Sequence, residues 1–214
     1  MSARTVFAGV VMVSVVSVFS SCKPPSRGGA QVLPPPSGGA EANTLKKFWQ
    51  VPAFELTDQD GRVFNAAQMA GKVWLVDFFY TSCPGPCPAL TSRLSDVHRA
   101  FGGEKRIGFL SISSDPEKDQ PAVLKKYAEK FHADERWLFL TGQTRAVFSL
   151  ANQGFKLSLT RNEGGGEPVT HSTRIVLVDG QGWVRGFYEG VGEEGNAASE
   201  LLSEGIKTLL KEMP

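Results

Sequence analysis

The chain is poor in the residues that soft-metal and thiol chemistry use, with three cysteines and three histidines among 214 residues. There is no third cysteine in the folded part and no His-x-His or Cys-x-x-His cluster to complete a structural zinc site, which normally closes four positions. Net charge is also scarce: 23 basic against 22 acidic residues leave +1, and no basic cluster suggests a surface for DNA or RNA. The longest apolar stretch, Val6–Phe19, is about 14 residues against the roughly 20 that a membrane span needs. No internal repeat is visible, and the four tryptophans follow no spacing that would suggest a carbohydrate or cofactor platform.

What is present divides the chain in three. Residues 1–22 read as a leader, with Arg4 ahead of the apolar run and Phe19-Ser20-Ser21-Cys22 behind it. Small residues ending in cysteine resemble a bacterial lipobox, although Phe19 stands where leucine is usual, so Cys22 is the expected lipidation site. A cleaved secretory signal with an incidental cysteine, or an uncleaved anchor, are the alternatives. Residues 23–44 are rich in Pro, Gly and Ser, including Pro34-Pro35-Pro36, and read as a tether that cannot bury enough apolar surface to fold. Residues 45–214, about 170 in number, suit one domain of ordinary size. The expected location is the bacterial cell envelope, membrane-anchored and facing the periplasm.

Within that domain the hydrophobic pattern alternates between strand and helix. Phe54–Phe64 reads as a β-hairpin turning at Asp58-Gln59-Asp60-Gly61. Lys72–Tyr80 is apolar enough for a central strand covered on both faces, and Leu90, Leu94 and Val97 recur at helical spacing over Pro86–Phe101. Further strands are expected at Arg106–Ser113 and Trp137–Leu140, helices at Gln120–Phe131 and Thr144–Asn152, a hairpin at Arg174–Tyr188 and a closing helix at Ala197–Lys211. This order is that of an α/β sandwich, a central mixed sheet flanked by helices with an N-terminal β-hairpin.

Cys83-Pro84-Gly85-Pro86-Cys87 falls at the junction of the expected central strand and the first helix, so two thiols share one loop. Soft ligands in that arrangement imply redox or metal chemistry. Three residues separate them, against two in thioredoxin-type motifs, so disulfide exchange is not the automatic reading. A structural disulfide is the plain alternative, weakened because so small a ring constrains little of the unfolded chain. A catalytic zinc with no general base nearby would make a poor hydrolase.

Val76-Asp77-Phe78-Phe79 followed by the two-cysteine loop resembles the thioredoxin superfamily, which implies a thioredoxin-like fold. Four elements in order resemble the SCO/SenC family of copper proteins involved in cytochrome c oxidase assembly. They are Phe79-Tyr80-Thr81-Ser82-Cys83 with Cys87-Pro88, Ser111–Asp119, His171-Ser172-Thr173, and Ile175–Asp179. The resemblance covers roughly Phe54–Leu210 and implies that Cys83, Cys87 and His171 hold copper. It also implies a partner, the copper-bearing subunit of the oxidase. The chemistry agrees, because thiolate favours Cu(I) while imidazole tolerates both oxidation states. Many relatives carry an acidic residue inside the cysteine loop, whereas Pro84-Gly85-Pro86 is neutral and stiff. Val169-Thr170-His171 occupies the place where thioredoxin-like reductases put a cis-proline, which favours a ligand over a peptide groove.

Other residues have two readings each. Asp77, in an apolar strand, either accepts thiol protons and tunes the site or is a carboxylate at a sheet edge or bonded to backbone amides. Asp115 before Pro116 looks like a helix N-cap, and only the family motif puts it near the site. His98 and His132 are expected to be structural, and Phe79 and Tyr80 to be packing residues. Gly164-Gly165-Gly166 in the loop Arg161–Thr170 would let His171 approach or leave the thiols, unless this is a plain surface loop. The functional expectation is a membrane-tethered metallochaperone for the dinuclear copper site of cytochrome c oxidase, rather than an enzyme in the strict sense. A thiol-disulfide oxidoreductase acting on the oxidase subunit or another exported protein is the rival. A peroxiredoxin-like peroxidase is disfavoured, because Tyr80 stands where that chemistry needs Thr.

Overall fold

A computed structural model describes residues 44–162 and 168–214, and of 193–197 the backbone alone. The leader with Cys22, the tether and Gly164–Gly166 lie outside the described residues.

The central sheet follows from which strands can be covered on both faces. β3 (Val73–Phe79) and β4 (Ile107–Ser113) are buried at every position, as expected of strands with helices on either side. They pair in parallel from Val73↔Ile107 to Phe79↔Ser113, a geometry that requires a crossover, and α1 (Pro86–Ala100) supplies it. A second crossover, α2 (Pro121–Lys130), brings β5 (Trp137–Leu140) alongside β4, again parallel. On the other side β8 (Arg174–Val178) lies antiparallel to β3, and β9 (Val184–Glu189) antiparallel to β8. The five-stranded order is β5-β4-β3-β8-β9, a mixed sheet closed by α4 (Gly192–Glu212). Together these elements make the thioredoxin-like fold.

The N-terminal hairpin is also present, as β1 (Glu55–Thr57) and β2 (Val63–Asn65). Asp58 organises its turn by accepting the amides of Asp60 and Arg62 at 2.8 Å each, and Gly61 supplies the positive φ of 80°.

Four expectations need correction. The third helix, α3, stops at Ser149 and continues as a π-helical turn over Leu150–Gly154. The closing helix starts at Gly192, earlier than glycine-rich composition suggests. The segment taken as a loop contains an antiparallel pair, β6 (Leu159–Arg161) with β7 (Val169–His171), so His171 sits in a strand. Asp115 caps no helix: its carbonyl accepts the amides of Lys118 and Asp119 in a turn, and α2 begins later, behind Gln120.

The structural reading of the other histidines fits. His98 is buried between the rings of Phe109 and Trp137, its Nε2 2.8 Å from Asp134 Oδ1. His132 ends its helix at a positive φ of 53°.

Gly190 lies where the chain leaving β9 packs closely against α1 and the start of β8. Its amide donates to Thr173 and its carbonyl accepts from Arg93 of α1. A Cβ here would come within 2.1 Å of Leu90 and 2.4 Å of the Thr173 backbone oxygen. Because a carbonyl cannot swing aside, Gly190→Ala is expected to destabilise the fold by about 1–3 kcal/mol, as overpacked cores do, measured by urea unfolding.

Candidate metal centre

The site forms where β3 ends. The chain turns out of the sheet after Phe79, Cys83 donates its amide to the Tyr80 carbonyl at 3.3 Å, and Pro86 opens α1 in the first-turn position that suits proline. Cys87 therefore lies in the first turn of a helix while Cys83 remains in the loop. Both thiols are free, Cys83 with 7% of its surface accessible and Cys87 with none.

His171 reaches the same place from β7. Its Nε2 stands 3.1 Å from the Cys87 sulfur and its Nδ1 2.9 Å from the Ser172 carbonyl. A carbonyl can only accept, so Nδ1 carries a proton, and in the neutral ring Nε2 then turns its lone pair toward the sulfur. That is the neutral tautomer through which imidazole binds metals. The Tyr80 ring meets the imidazole edge-on at 5.8 Å. The hairpin is held from outside by Asn152 of the π-turn, whose side chain donates to the Leu159 carbonyl and accepts the Leu159 amide, and Leu159 is the residue paired with His171.

Of the three predicted ligands the structure brings two, Cys87 and His171, into contact, with Cys83 four residues earlier in the same loop. Among the described residues no three Cys, His, Asp or Glu side chains surround a common point. Cys87 and His171 form a donor pair, and Cys83 is the second thiol of the same loop.

Electrostatics favour protons here when no cation is present. A helix N-terminus favours thiolate, but burial dominates at Cys87 and pushes its thiol well up. Cys83 and the charge of Asp77 add to the rise, and the Tyr80 backbone opposes it. Tyr127 is also pushed up by burial; its hydroxyl meets Thr91 Oγ1 at 3.1 Å, and Thr91 in turn donates to the Cys87 carbonyl.

Asp77 is not at a sheet edge. It lies in the central strand, fully buried, opposite Ser111, whose hydroxyl donates to its Oδ1 at 2.6 Å. Its Oδ2 has no hydrogen-bond partner among the described residues. Loss of solvation raises its pKa from the ordinary 3.8 to about 7. Asp77 therefore acts on the site through its field, while Asp115 makes no contact with the thiols: its amide bonds Ser113 Oγ, and Lys118 lies 3.4 Å from its Oδ2.

The residue missed in this motif is Asp119. Fully buried, it accepts the Thr81 amide at 3.0 Å, the Thr81 hydroxyl at 2.5 Å and the Ser113 hydroxyl at 2.6 Å. No local signal in the run Ser113–Gln120 separates it from the other acidic residues.

A thioredoxin-like domain with two loop cysteines and a facing histidine is a soft-ligand or redox protein by class. The SCO1/SenC family model matches residues 43–204, and the chain belongs to that family. Among solved structures it is similar to a SCO1/SenC family lipoprotein from Bacillus anthracis, with 31% identity and a TM-score of 0.69 over 76% of this chain and 95% of that one. It is similar to Bradyrhizobium japonicum ScoI with copper bound, at 27% identity and a TM-score of 0.60, covering 73% and 99%. It also resembles BsSco, described as having a disulfide switch and as a member of the Sco family of cytochrome c oxidase assembly proteins. There the identity is 30% and the TM-score 0.63, over 76% and 98%.

Burial of Asp77 carries a pH signature. Between the ordinary carboxyl pKa of 3.8 and about 7 the folded chain holds a proton that the unfolded chain has released. Stability is therefore full below that window, falls as pH rises through it and is level above. Asp77→Asn is expected to remove this slope and to stabilise the reduced protein at pH 8 by on the order of 2–4 kcal/mol. Thermal unfolding across pH 4–8 checks it, and an unchanged slope would reject the assignment.

Proposed function

We propose that this protein binds copper through Cys83, Cys87 and His171 and delivers it to the dinuclear copper site of cytochrome c oxidase, held at the membrane by a lipid on Cys22. The observation that carries the reading is the 3.1 Å approach of His171 Nε2 to the Cys87 sulfur, with the imidazole proton fixed on the far nitrogen by Ser172. Copper bound by the ScoI relative supports the choice of metal. Two thiolates and one neutral imidazole suit Cu(I) and admit Cu(II). The chain's own residues do the rest: the thiols give up two protons on loading, and burial keeps water from them. Release proceeds by ligand exchange, the sulfurs and imidazole giving way to cysteines and histidines of the oxidase subunit.

The pair of thiols in one loop also supports a second reading, in which the reduced Cys83 and Cys87 give two electrons to a disulfide of the oxidase subunit or another exported protein, leaving that partner as two thiols and closing into a Cys83–Cys87 disulfide themselves, in line with the disulfide switch of BsSco. Burial of Cys87 weighs against it as the main activity, because thiolate is the attacking species. Insulin reduction by the same preparation separates the two readings.

Reduced protein is expected to bind about one copper. Loss of either Cys83 or Cys87 should abolish tight binding, and His171→Ala should weaken Cu(II) more than Cu(I). Oxidised protein should stay metal-free, because metal and oxidant compete for the same thiolates. Copper titration followed by Cu(II) spectra decides this; an unchanged Cu(II) affinity in the His171→Ala protein would remove the histidine from the ligand set.

For the anchor, the described residues contain no helix long and apolar enough to cross a membrane. The mature chain is expected to begin at a lipid-bearing Cys22 and to fractionate with membranes, because several acyl chains together hold firmly where one binds reversibly. Mass spectrometry of the mature N-terminus checks it, and an unmodified Cys22 or an intact leader would overturn the lipoprotein assignment.

A further inference from the structure

We infer that Asp119 is the positioning residue of the thiol loop, fixing Thr81 and through it the place from which the Cys83 sulfur reaches its partners. The inference rests on the reading of Cys83 and Cys87 as the working pair. A fully buried carboxylate is costly unless its oxygens are satisfied, and all three donors that satisfy this one belong to two neighbouring strand ends. Thr81 contributes two of them, its amide and its hydroxyl, and Ser113 the third. Thr81 lies two residues before Cys83, in the loop that leaves β3. The same two strand ends are tied a second time, because the Ser114 amide and hydroxyl both bond the Phe79 carbonyl, at 2.7 and 2.8 Å. The backbone is thus tied on both sides of Tyr80, and Thr81 fixes where the segment that carries Cys83 leaves the sheet.

The same turn touches the other half of the site. Glu117 meets Arg161 at 2.9 Å, and Arg161 belongs to β6, the strand that pairs with the His171 strand. Both groups are exposed, so this bridge is the weaker arm, and Asp119 is the one that holds.

The test measures the Cys83–Cys87 disulfide equilibrium against glutathione, which needs no copper, and the Cu(II)–thiolate spectrum and copper affinity of the reduced protein. Circular dichroism and the unfolding midpoint report whether each variant is folded. Asp119→Ala is expected to shift the disulfide equilibrium about tenfold, since sulfur placement sets that equilibrium. It should weaken copper about 10- to 100-fold, the usual effect of removing a residue that orients ligands. Asp119→Asn, which keeps one acceptor oxygen, and Thr81→Val, which removes one of the three donors, should each give a smaller shift in the same direction. The double variant should lose little more than Asp119→Ala alone, because both changes break one contact. A folded Asp119→Ala protein with wild-type disulfide equilibrium and wild-type copper spectrum would overturn the inference. Should that variant not fold, Asp119→Asn and Thr81→Val carry the test by the same readouts, and wild-type behaviour in both overturns it. If the unaltered protein takes up no copper, the copper reading fails by itself while the glutathione equilibrium still decides the role of Asp119.

Discussion

The site depends on one constraint, the seven-residue parallel pairing of β3 with β4. Because Phe79 stands opposite Ser113, both strands end at the same level and release their following loops side by side. One loop carries Cys83; the other carries Asp119. Parallel strands require a crossover, and α1, the crossover that begins with the cysteine loop, is itself part of the site through Cys87. A one-residue slip between these strands would turn Asp77 and Ser111 to opposite faces and break the only hydrogen bond that a neighbouring side chain gives that carboxyl among the described residues.

The polar groups that this pairing buries are answered unevenly. Asp119 has three donors, whereas Asp77 has one hydroxyl and an oxygen with no hydrogen-bond partner among the described residues. The well-answered carboxylate sits at the strand ends, where it fastens chain to chain. The poorly answered one sits in mid-strand, within reach of the field of Cys87. Burial of an acid without compensation costs stability, and Asp77 meets that cost by holding its proton to about 7.

The strands that make the frame were legible because burial on both faces writes itself as an unbroken apolar run, as in Val73–Phe79 and Ile107–Ser113. The cysteine pair was legible for a different reason, since rare residues in one loop need no periodicity to be noticed. The strand that carries His171 was not legible: three residues long, it pairs with a three-residue partner across a glycine-rich segment, and Asn152 fixes that partner from another element. Asp115 drew attention because an acid before proline resembles a helix cap. Asp119 passed unnoticed because its importance comes from the register of two strands, which nothing in Asp-Pro-Glu-Lys-Asp encodes. The start of α4 was misplaced because Gly192 and Gly195 read as loop, while the helix is held by packing against β9 and the sheet rather than by propensity.

Charge unites the frame and the chemistry. Cys87, Tyr127 and Asp77 lie close enough for their charges to act on one another, and burial pushes the pKa of all three up, so negative charge is disfavoured around Cys87. A cation reverses that balance, because each thiolate it draws out then meets a counter-charge in a medium that screens it poorly. A proton cannot do this for both sulfurs without making them thiols again, and a disulfide removes the charges by joining the sulfurs. On the proposed reading the two sulfurs would therefore be stable with protons, with a soft cation or as a disulfide, and unstable as a bare dithiolate. The neutral Pro84-Gly85-Pro86 segment fits that balance: an acidic residue in the same loop would add one more negative charge beside the sulfurs.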